Sequence, residues 1–192
     1  IILIVIIWKA IFPNAGKSTL LSCISNANPK IANYPFTTLY PNLGVCEVKG
    51  QTFVVADIPG LIEGASEGQG LGHHFLKHVE RVRLILHLVD ISQSDGRDFI
   101  EDYKIINSEL KNYSEELAKT PQIIVLSKID LVDEDTLNER LDRFKREVSE
   151  DFITISGATY QGIEKLKLLT LEKLSKLPKK PPLQIEESDF DK

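Results

Sequence analysis

The chain is 192 residues long, 42% hydrophobic and 27% charged, with a formal net charge of −5 at pH 7. That composition can fill the core of one domain and excludes an intrinsically disordered chain, while the negative balance argues against a broadly basic nucleic-acid surface, so no DNA partner is expected. Its two cysteines, Cys23 and Cys46, are too few for a disulfide framework or a cysteine-built zinc site and suit a reducing, cytoplasmic compartment.

The apolar run Ile1 to Ile7 is too short to span a bilayer and has no basic flank or small-residue cleavage site. It is read as a buried parallel strand, and no membrane partner is expected. Next comes Phe12-Pro13-Asn14-Ala15-Gly16-Lys17-Ser18-Thr19, opening a helix from Lys17 to Asn26 with Leu20, Leu21 and Ile24 at helical spacing. A strand that stops at a small-residue turn and feeds a helix directs several backbone N–H groups into one concavity, where anions collect. Gly16 lets backbone approach a phosphate, Lys17 can reach the β- and γ-phosphates, and the Ser18 hydroxyl is placed to ligate Mg²⁺. The full pattern begins with a glycine where this chain has Ile11, whose β-branched side chain disfavours positive φ and crowds the cradle.

Residues 28–42 hold Pro29, Pro35 and Pro41 without an apolar period, so they are read as a long functional loop. One of its threonines, Thr37 or Thr38, can ligate Mg²⁺ through its hydroxyl and bond a γ-phosphate through its N–H. Strands follow at 44–48 and 52–58, joined by a hairpin turn at Lys49-Gly50-Gln51. Asp57-Ile58-Pro59-Gly60 ends the second of them. Asp57 can hold a magnesium-bound water and Gly60 can offer its N–H to a γ-phosphate, although an Asp-capped surface turn explains the same residues taken alone. Residues 59–72 contain five of the eleven glycines and are read as a mobile segment.

Beyond it the chain alternates: a helix at 73–83, a buried strand at 84–90, a helix at 98–119, a strand at 123–126, a helix at 134–148, a strand at 152–155 and a helix at 162–177. The expected fold is therefore α/β, a mostly parallel six-stranded sheet with one antiparallel strand and helices on both faces. Residues 1–177 are read as one domain and 178–192, rich in proline and then acidic, as a linker or tail. The isolated domain is expected to be a monomer.

Two more motifs follow strands, where ligands of such sheets sit. In Ser127-Lys128-Ile129-Asp130, the Asp130 carboxylate can accept two N–H bonds from guanine, which adenine cannot offer, and the Lys128 stem can lie along the base. Charge-assisted bonds of this kind are worth roughly 1.5–3 kcal/mol each. Asp130 as a simple helix cap is the bland alternative. The usual motif starts with Asn where this chain has Ser127. Ser156-Gly157-Ala158 can present a backbone N–H to the guanine oxygen, with Gly157 in place of the common Ala.

Taken together, these motifs resemble the GTPase domain of the Obg family, most closely across residues 12–128. The runs that carry the resemblance are Phe-Pro-Asn-Ala-Gly-Lys-Ser-Thr at 12–19, Tyr-Pro-Phe-Thr-Thr-Leu at 34–39, Pro-Asn-Leu-Gly at 41–44 and Asp-Ile-Pro-Gly-Leu-Ile-Glu-Gly-Ala-Ser-Glu-Gly at 57–68. The resemblance implies a P-loop fold and a slow Mg²⁺-dependent hydrolysis of GTP to GDP and phosphate. Lys17, Thr38 and Gly60 would act on the reacting phosphate, Ser18 and Thr38 would ligate magnesium directly, and Asp57 would do so through water. The nucleotide would be held by Asn14, Ala15, Gly16, Lys17, Ser18 and Thr19, by Phe36, Thr37, Thr38, Asp57 and Gly60, and by Ser127, Lys128, Asp130, Leu131, Ser156, Gly157 and Ala158.

It also implies a large-ribosomal-subunit partner, a link to stress signalling through guanosine tetraphosphate, and an N-terminal glycine-rich domain and a C-terminal small domain that have no counterpart in these residues. Asn14 stands where related GTPases coordinate potassium, which makes K⁺ a candidate second cation. Leu61 stands where many GTPases have a water-orienting Gln, so turnover should be slow without outside help. Ile11, Leu61 and Ser127 keep a non-catalytic nucleotide-binding scaffold open as an alternative, and a related ATPase is a second one.

His73, His74 and His78 are read as solvated or helix-packing histidines rather than metal ligands, and His87, inside an apolar strand, as a core residue. The charged residues between Glu134 and Glu150 read as a solvated helix face.

Overall fold

The computed structural model describes residues 4–8, 16–25, 30–31, 42–57 and 82–178. They form β1 (Ile4–Trp8), α1 (Lys17–Ile24), β2 (Lys30–Ile31), β3 (Asn42–Val48), β4 (Gln51–Asp57), β5 (Val82–Asp90), α2 (Phe99–Tyr113), α3 (Glu115–Ala118), β6 (Gln122–Ser127), α4 (Glu134–Glu147), β7 (Phe152–Thr154) and α5 (Ile163–Lys176). The strands make one sheet in the order β2-β3-β4-β1-β5-β6-β7. Every neighbouring pair from β4 to β7 is parallel, while β3 runs antiparallel to both β4 and β2. The expected α/β sheet with a single reversed strand is present. A seventh strand, the two-residue edge β2, lies in the stretch read as a continuous loop.

The centre of the sheet is buried on both faces, which is why β5 and β6 read as mostly apolar runs. Leu84, Leu86 and Leu88 of β5 and Ile123 and Val125 of β6 point to one face, where they meet Leu20, Leu21 and Ile24 of α1 and Leu166 and Leu174 of α5. Val89 of β5 and Ile124 and Leu126 of β6 point to the other, against Phe99 and Ile100 of α2 and Phe144 of α4. Phe144 is fully buried, edge-on to Phe152 at 5.3 Å. Burying one such side chain is worth about 1.5–3 kcal/mol.

Most element boundaries differ from the sequence expectation by one or two residues, and three differences have a structural reason or change an element. Val82 and Arg83, read as the end of a helix, belong to β5. The helix expected over 98–119 is two helices, because Ser114 is extended (φ −161°) and its hydroxyl accepts hydrogen bonds from the N–H groups of Glu116 and Leu117, starting α3 afresh. The first helix ends at Ile24, since Ser25 is already extended. The rest of the expected helix at 73–83 and the glycine-rich stretch at 59–72 lie outside the described residues.

The carboxyl ends of β4, β5 and β6 place Asp57, Asp90 and Ser127 along one edge of the sheet. That edge is where an open parallel sheet binds ligands.

Candidate functional site

At the N-terminus of α1, Gly16 caps the helix with φ 76°, a left-handed conformation that costs glycine little. Among the described residues, a Cβ placed there would meet nothing within 4 Å. The N-terminal N–H groups of α1 form the positive end of a helix dipole. Beside it, the Lys17 ammonium lies 3.6 Å from Asp57 Oδ1, and the Ser18 hydroxyl donates to Asp57 Oδ2 at 3.4 Å.

Asp57 is only 4% exposed, and its buried Oδ1 has no hydrogen bond among the described residues. A buried carboxylate oxygen next to a hydroxyl is a hard-oxygen donor pair. It fits Mg²⁺, which binds through one or two carboxylates and fills its shell with phosphate oxygens and water. The residues present therefore suit the metal that the sequence pattern implies.

The base motif sits on the neighbouring strand end. Ser127 is buried, and its hydroxyl donates to the Val89 carbonyl at 3.0 Å, while its own carbonyl accepts from the Ile91 N–H at 3.2 Å. Ser127 thus ties the ends of β5 and β6 to each other in place of the Asn that such motifs carry. Lys128 follows with φ 62°, and a 3₁₀ turn, Ile129–Leu131, then presents Asp130 at the surface. The Ile129 N–H donates to the Ile155 carbonyl at 3.4 Å, which brings the 155–158 loop alongside. Ser156 is buried, and its hydroxyl accepts from the Thr159 N–H at 3.0 Å, so its side chain shapes the turn while Gly157 and Ala158 face outward.

One cleft of about 250 Å³ joins these pieces. It is lined by Gly16 and Thr19 from the phosphate helix, by Ser127, Lys128, Asp130 and Leu131 from the base motif, and by Gly157 and Ala158. Leu20, Leu88 and Ile155 complete its wall and were not foreseen from the sequence. Helix α1 touches both ends: the Cys23 thiol donates to the Gly157 carbonyl at 3.3 Å, and a Cβ on Gly157 would come within 3.0 Å of the Thr19 methyl. This close approach is a local reason for glycine where alanine is common. Burial raises the thiol pKa of Cys23, and it pushes that of Cys46 up to about 11; neither forms a disulfide.

Asp90 is the residue sequence reading missed. It ends β5, is 2% exposed, and forms an ion pair with the Lys128 ammonium at 2.6 Å. Its Oδ1 accepts from the Ser92 N–H at 2.9 Å and the Ser92 hydroxyl at 2.6 Å, and its Oδ2 accepts from the Ser94 hydroxyl at 3.1 Å. Burial acts to raise the carboxyl pKa, but the bonds from Lys128 and Ser92 outweigh it and hold Asp90 below the usual carboxylate range. An Asp closing a buried, mostly apolar strand was the available signal.

Asn14, Ala15, Phe36, Thr37, Thr38 and Gly60, together with Ile11, Leu61, His73, His74 and His78, lie outside the described residues. Among the described residues, no helix is long and apolar enough to cross a membrane.

Comparison with known proteins agrees with this geometry. The family model described as 50S ribosome-binding GTPase matches residues 12–128. GTPase Obg of Caldanaerobacter subterraneus subsp. tengcongensis is 53% identical over 170 residues, covering 87% of this chain and 39% of that protein. GTPase Obg of Fervidobacterium nodosum is 56% identical over 159 residues, covering 81% and 36%. The chain thus spans about two fifths of the length of these relatives. Among solved structures, the fold is similar to nucleolar GTP-binding protein 1 from Plasmodium falciparum (TM-score 0.63, 23% identity, 91% of this chain and 87% of that one). It is also similar to Era from Aquifex aeolicus (TM-score 0.62, 24% identity, 96% and 59%). With a family model matching residues 12–128 and relatives more than 50% identical over most of its length, the chain belongs to the 50S ribosome-binding GTPase family, and within it is similar to Obg.

Proposed function

We propose that this chain is a guanine-nucleotide switch that binds GTP with Mg²⁺ and hydrolyses it slowly to GDP and phosphate. The observation that carries the proposal is the single cleft into which α1 brings Gly16 and Thr19, and the ends of β6 and β7 bring Lys128, Asp130 and Gly157. Phosphates lie against the N–H groups of α1, with Lys17 compensating their charge. The guanine edge bonds to the exposed Asp130 carboxylate, and the Gly157–Ala158 backbone faces the base oxygen.

Ser18 and Thr38 would hold magnesium directly and Asp57 through water, and the bound ion would supply charge neutralisation at the phosphates. Gly60, with Thr38, would make the site sensitive to the γ-phosphate, and Leu61 offers the attacking water no side-chain orienter. Asn14 would hold a potassium ion whose charge would offset that deficit in part. Residues 1–177 form the GTPase domain, with 178–192 leading away from it. The whole protein acts on the large ribosomal subunit, a reading that the family description supports, or in stress signalling, which the resemblance to Obg implies.

The test is nucleotide affinity with and without Mg²⁺, followed by single-turnover hydrolysis in KCl and in NaCl. GTP should bind far more tightly than ATP and only weakly without Mg²⁺. Asp130→Asn should weaken GTP binding about a hundredfold and favour xanthine nucleotides, the scale of one lost pair of charge-assisted bonds. Equal affinity for ATP and GTP would overturn the guanine assignment, and equal rates in KCl and NaCl would remove potassium. A second reading, a non-catalytic scaffold, is favoured by Leu61; bound GTP with no conversion above the uncatalysed rate would select it.

A further inference from the structure

We propose that Asp90 is a positioning residue for base recognition: its buried carboxylate anchors the Lys128 ammonium so that the Lys128 stem stands as a fixed wall of the base pocket beside Asp130. The proposal rests on the guanine reading above and concerns a residue that the motif itself does not contain.

Lys128 is a poor candidate for a rigid wall by its own chemistry. Its flexible stem carries much rotamer entropy, and its backbone is held left-handed at φ 62°, a region L side chains rarely adopt. Both difficulties are met from β5. The ammonium is fixed at 2.6 Å from Asp90 Oδ2 and also donates to the Ser94 hydroxyl at 3.0 Å, and Ser94 in turn donates to the same carboxylate. With Ser92 on its other oxygen, Asp90 has no freedom to follow a moving lysine.

The anchor is held from two sides. Asp90 and Ser127 are register partners on adjacent parallel strands, which fixes the span from Asp90 to Lys128. The turn after β5 is pinned from α4, where the Arg140 guanidinium donates to the Ile91 carbonyl at 2.6 Å. With both ends of the side chain fixed, the stem of Lys128 lines the cleft next to Asp130 and Leu131. Ordering that a base would otherwise impose on the lysine is already complete, which favours binding.

A wall and an edge reader make separable contributions. Asp130 reads the exocyclic amine that distinguishes guanine from hypoxanthine, whereas a stem lying along the ring serves both bases alike. Asp90 should therefore govern affinity for either base and leave the choice between them to Asp130.

The experiment measures dissociation constants of the full chain for Mg²⁺-GDP and Mg²⁺-IDP at physiological ionic strength, for the wild type, Asp90→Asn, Lys128→Met and the double variant. Met keeps most of the stem and loses the anchor. Each single variant should bind GDP about tenfold more weakly, the scale of releasing one rotamer-rich side chain. The double variant should be no weaker than the weaker single, and the GDP-to-IDP ratio should be unchanged throughout. Additive losses, near a hundredfold in the double variant, would overturn the proposal, as would a collapse of the GDP-to-IDP ratio in Asp90→Asn, which would place its action on Asp130. If Asp90→Asn does not fold, Lys128→Met alone decides: wild-type affinity sinks the proposal, and a tenfold loss for both bases supports it. A folded wild type that binds no GDP overturns the guanine reading and this proposal together, whereas normal wild-type binding with unaffected variants overturns this proposal alone.

Discussion

His87 shows how a side chain can serve the core and still leave a chemical trace. It is fully buried, stacked on Tyr103 with ring centroids 5.0 Å apart, and its Nδ1 pairs with Gln122 Oε1 at 2.8 Å, while Nε2 is buried without a hydrogen bond. The expectation of a core histidine holds, with only one of its two nitrogens satisfied. Burial lowers its pKa from 6.5 to about 4, against a smaller upward pull from Gln122. The fold thus prefers the neutral ring. Its contribution to stability is complete above the unfolded value and is lost as pH falls from 6.5 toward 4, an effect of about 3 kcal/mol at most. Urea unfolding at pH 7 and at pH 4.5 should show His87→Gln losing less stability on acidification than the wild type. An identical pH dependence in the two proteins would show that His87 does not contribute to it.

Among the elements, α5 depends on a residue far away in sequence. It starts at Gly162, whose φ of 78° and whose missing Cβ, which would lie 2.3 Å from the Thr154 carbonyl oxygen, leave room for no other residue. It ends on Arg83 of β5, which is 6% exposed and donates to the carbonyls of Leu174 at 2.9 Å, Leu177 at 2.6 Å and Pro178 at 3.0 Å. One guanidinium therefore gathers a carbonyl of the last turn and the two carbonyls that follow the helix, at an end that has no glycine after it. Arg83→Met should cost about 2–3 kcal/mol in urea unfolding and speed hydrogen exchange in the last turn of α5. Unchanged exchange there would refute the capping role. Sequence periodicity found α5 and β5 but could not find this link, because it is a partnership between residues 91 or more apart. Periodicity also merged α2 with α3, since Ser114 breaks the backbone without interrupting the apolar face. The charged face of α4 was legible only in part: Lys145 pairs with Asp142 along the surface, but Arg143 reaches Asp98 at 2.6 Å and lies 5.2 Å from the centre of the Phe99 ring, joining α4 to the start of α2.

In the molecule as a whole, the alternation of β with α and the single antiparallel hairpin were legible because both faces of a parallel sheet demand long apolar runs, and those runs stand out between polar helices, whereas the order of the strands across the sheet was not read from the sequence. The phosphate and base motifs were legible because each carries residue types that packing alone does not require. Asp90 was not, since a single carboxylate at a strand end has no spacing to mark it. Ligand binding should couple these parts. Mg²⁺-GDP at a thousandfold excess over its Kd should stabilise the chain by about 4 kcal/mol in urea unfolding, and ATP at the same concentration should not. Equal stabilisation by ATP would remove the base from the account. Helix α1 gives this coupling a geometric form. Lys17 and Ser18 stand at its N-terminus, and Thr19 and Cys23 meet Gly157 from the same short helix. The helix acts as a ruler whose length is set by the backbone, so the separation of the two half-sites is constant. Guanine or pyrophosphate alone can engage only one mark on that ruler. Joined by a ribose of the right span, they bind as a chelate, each half raising the effective concentration of the other far above what either achieves alone.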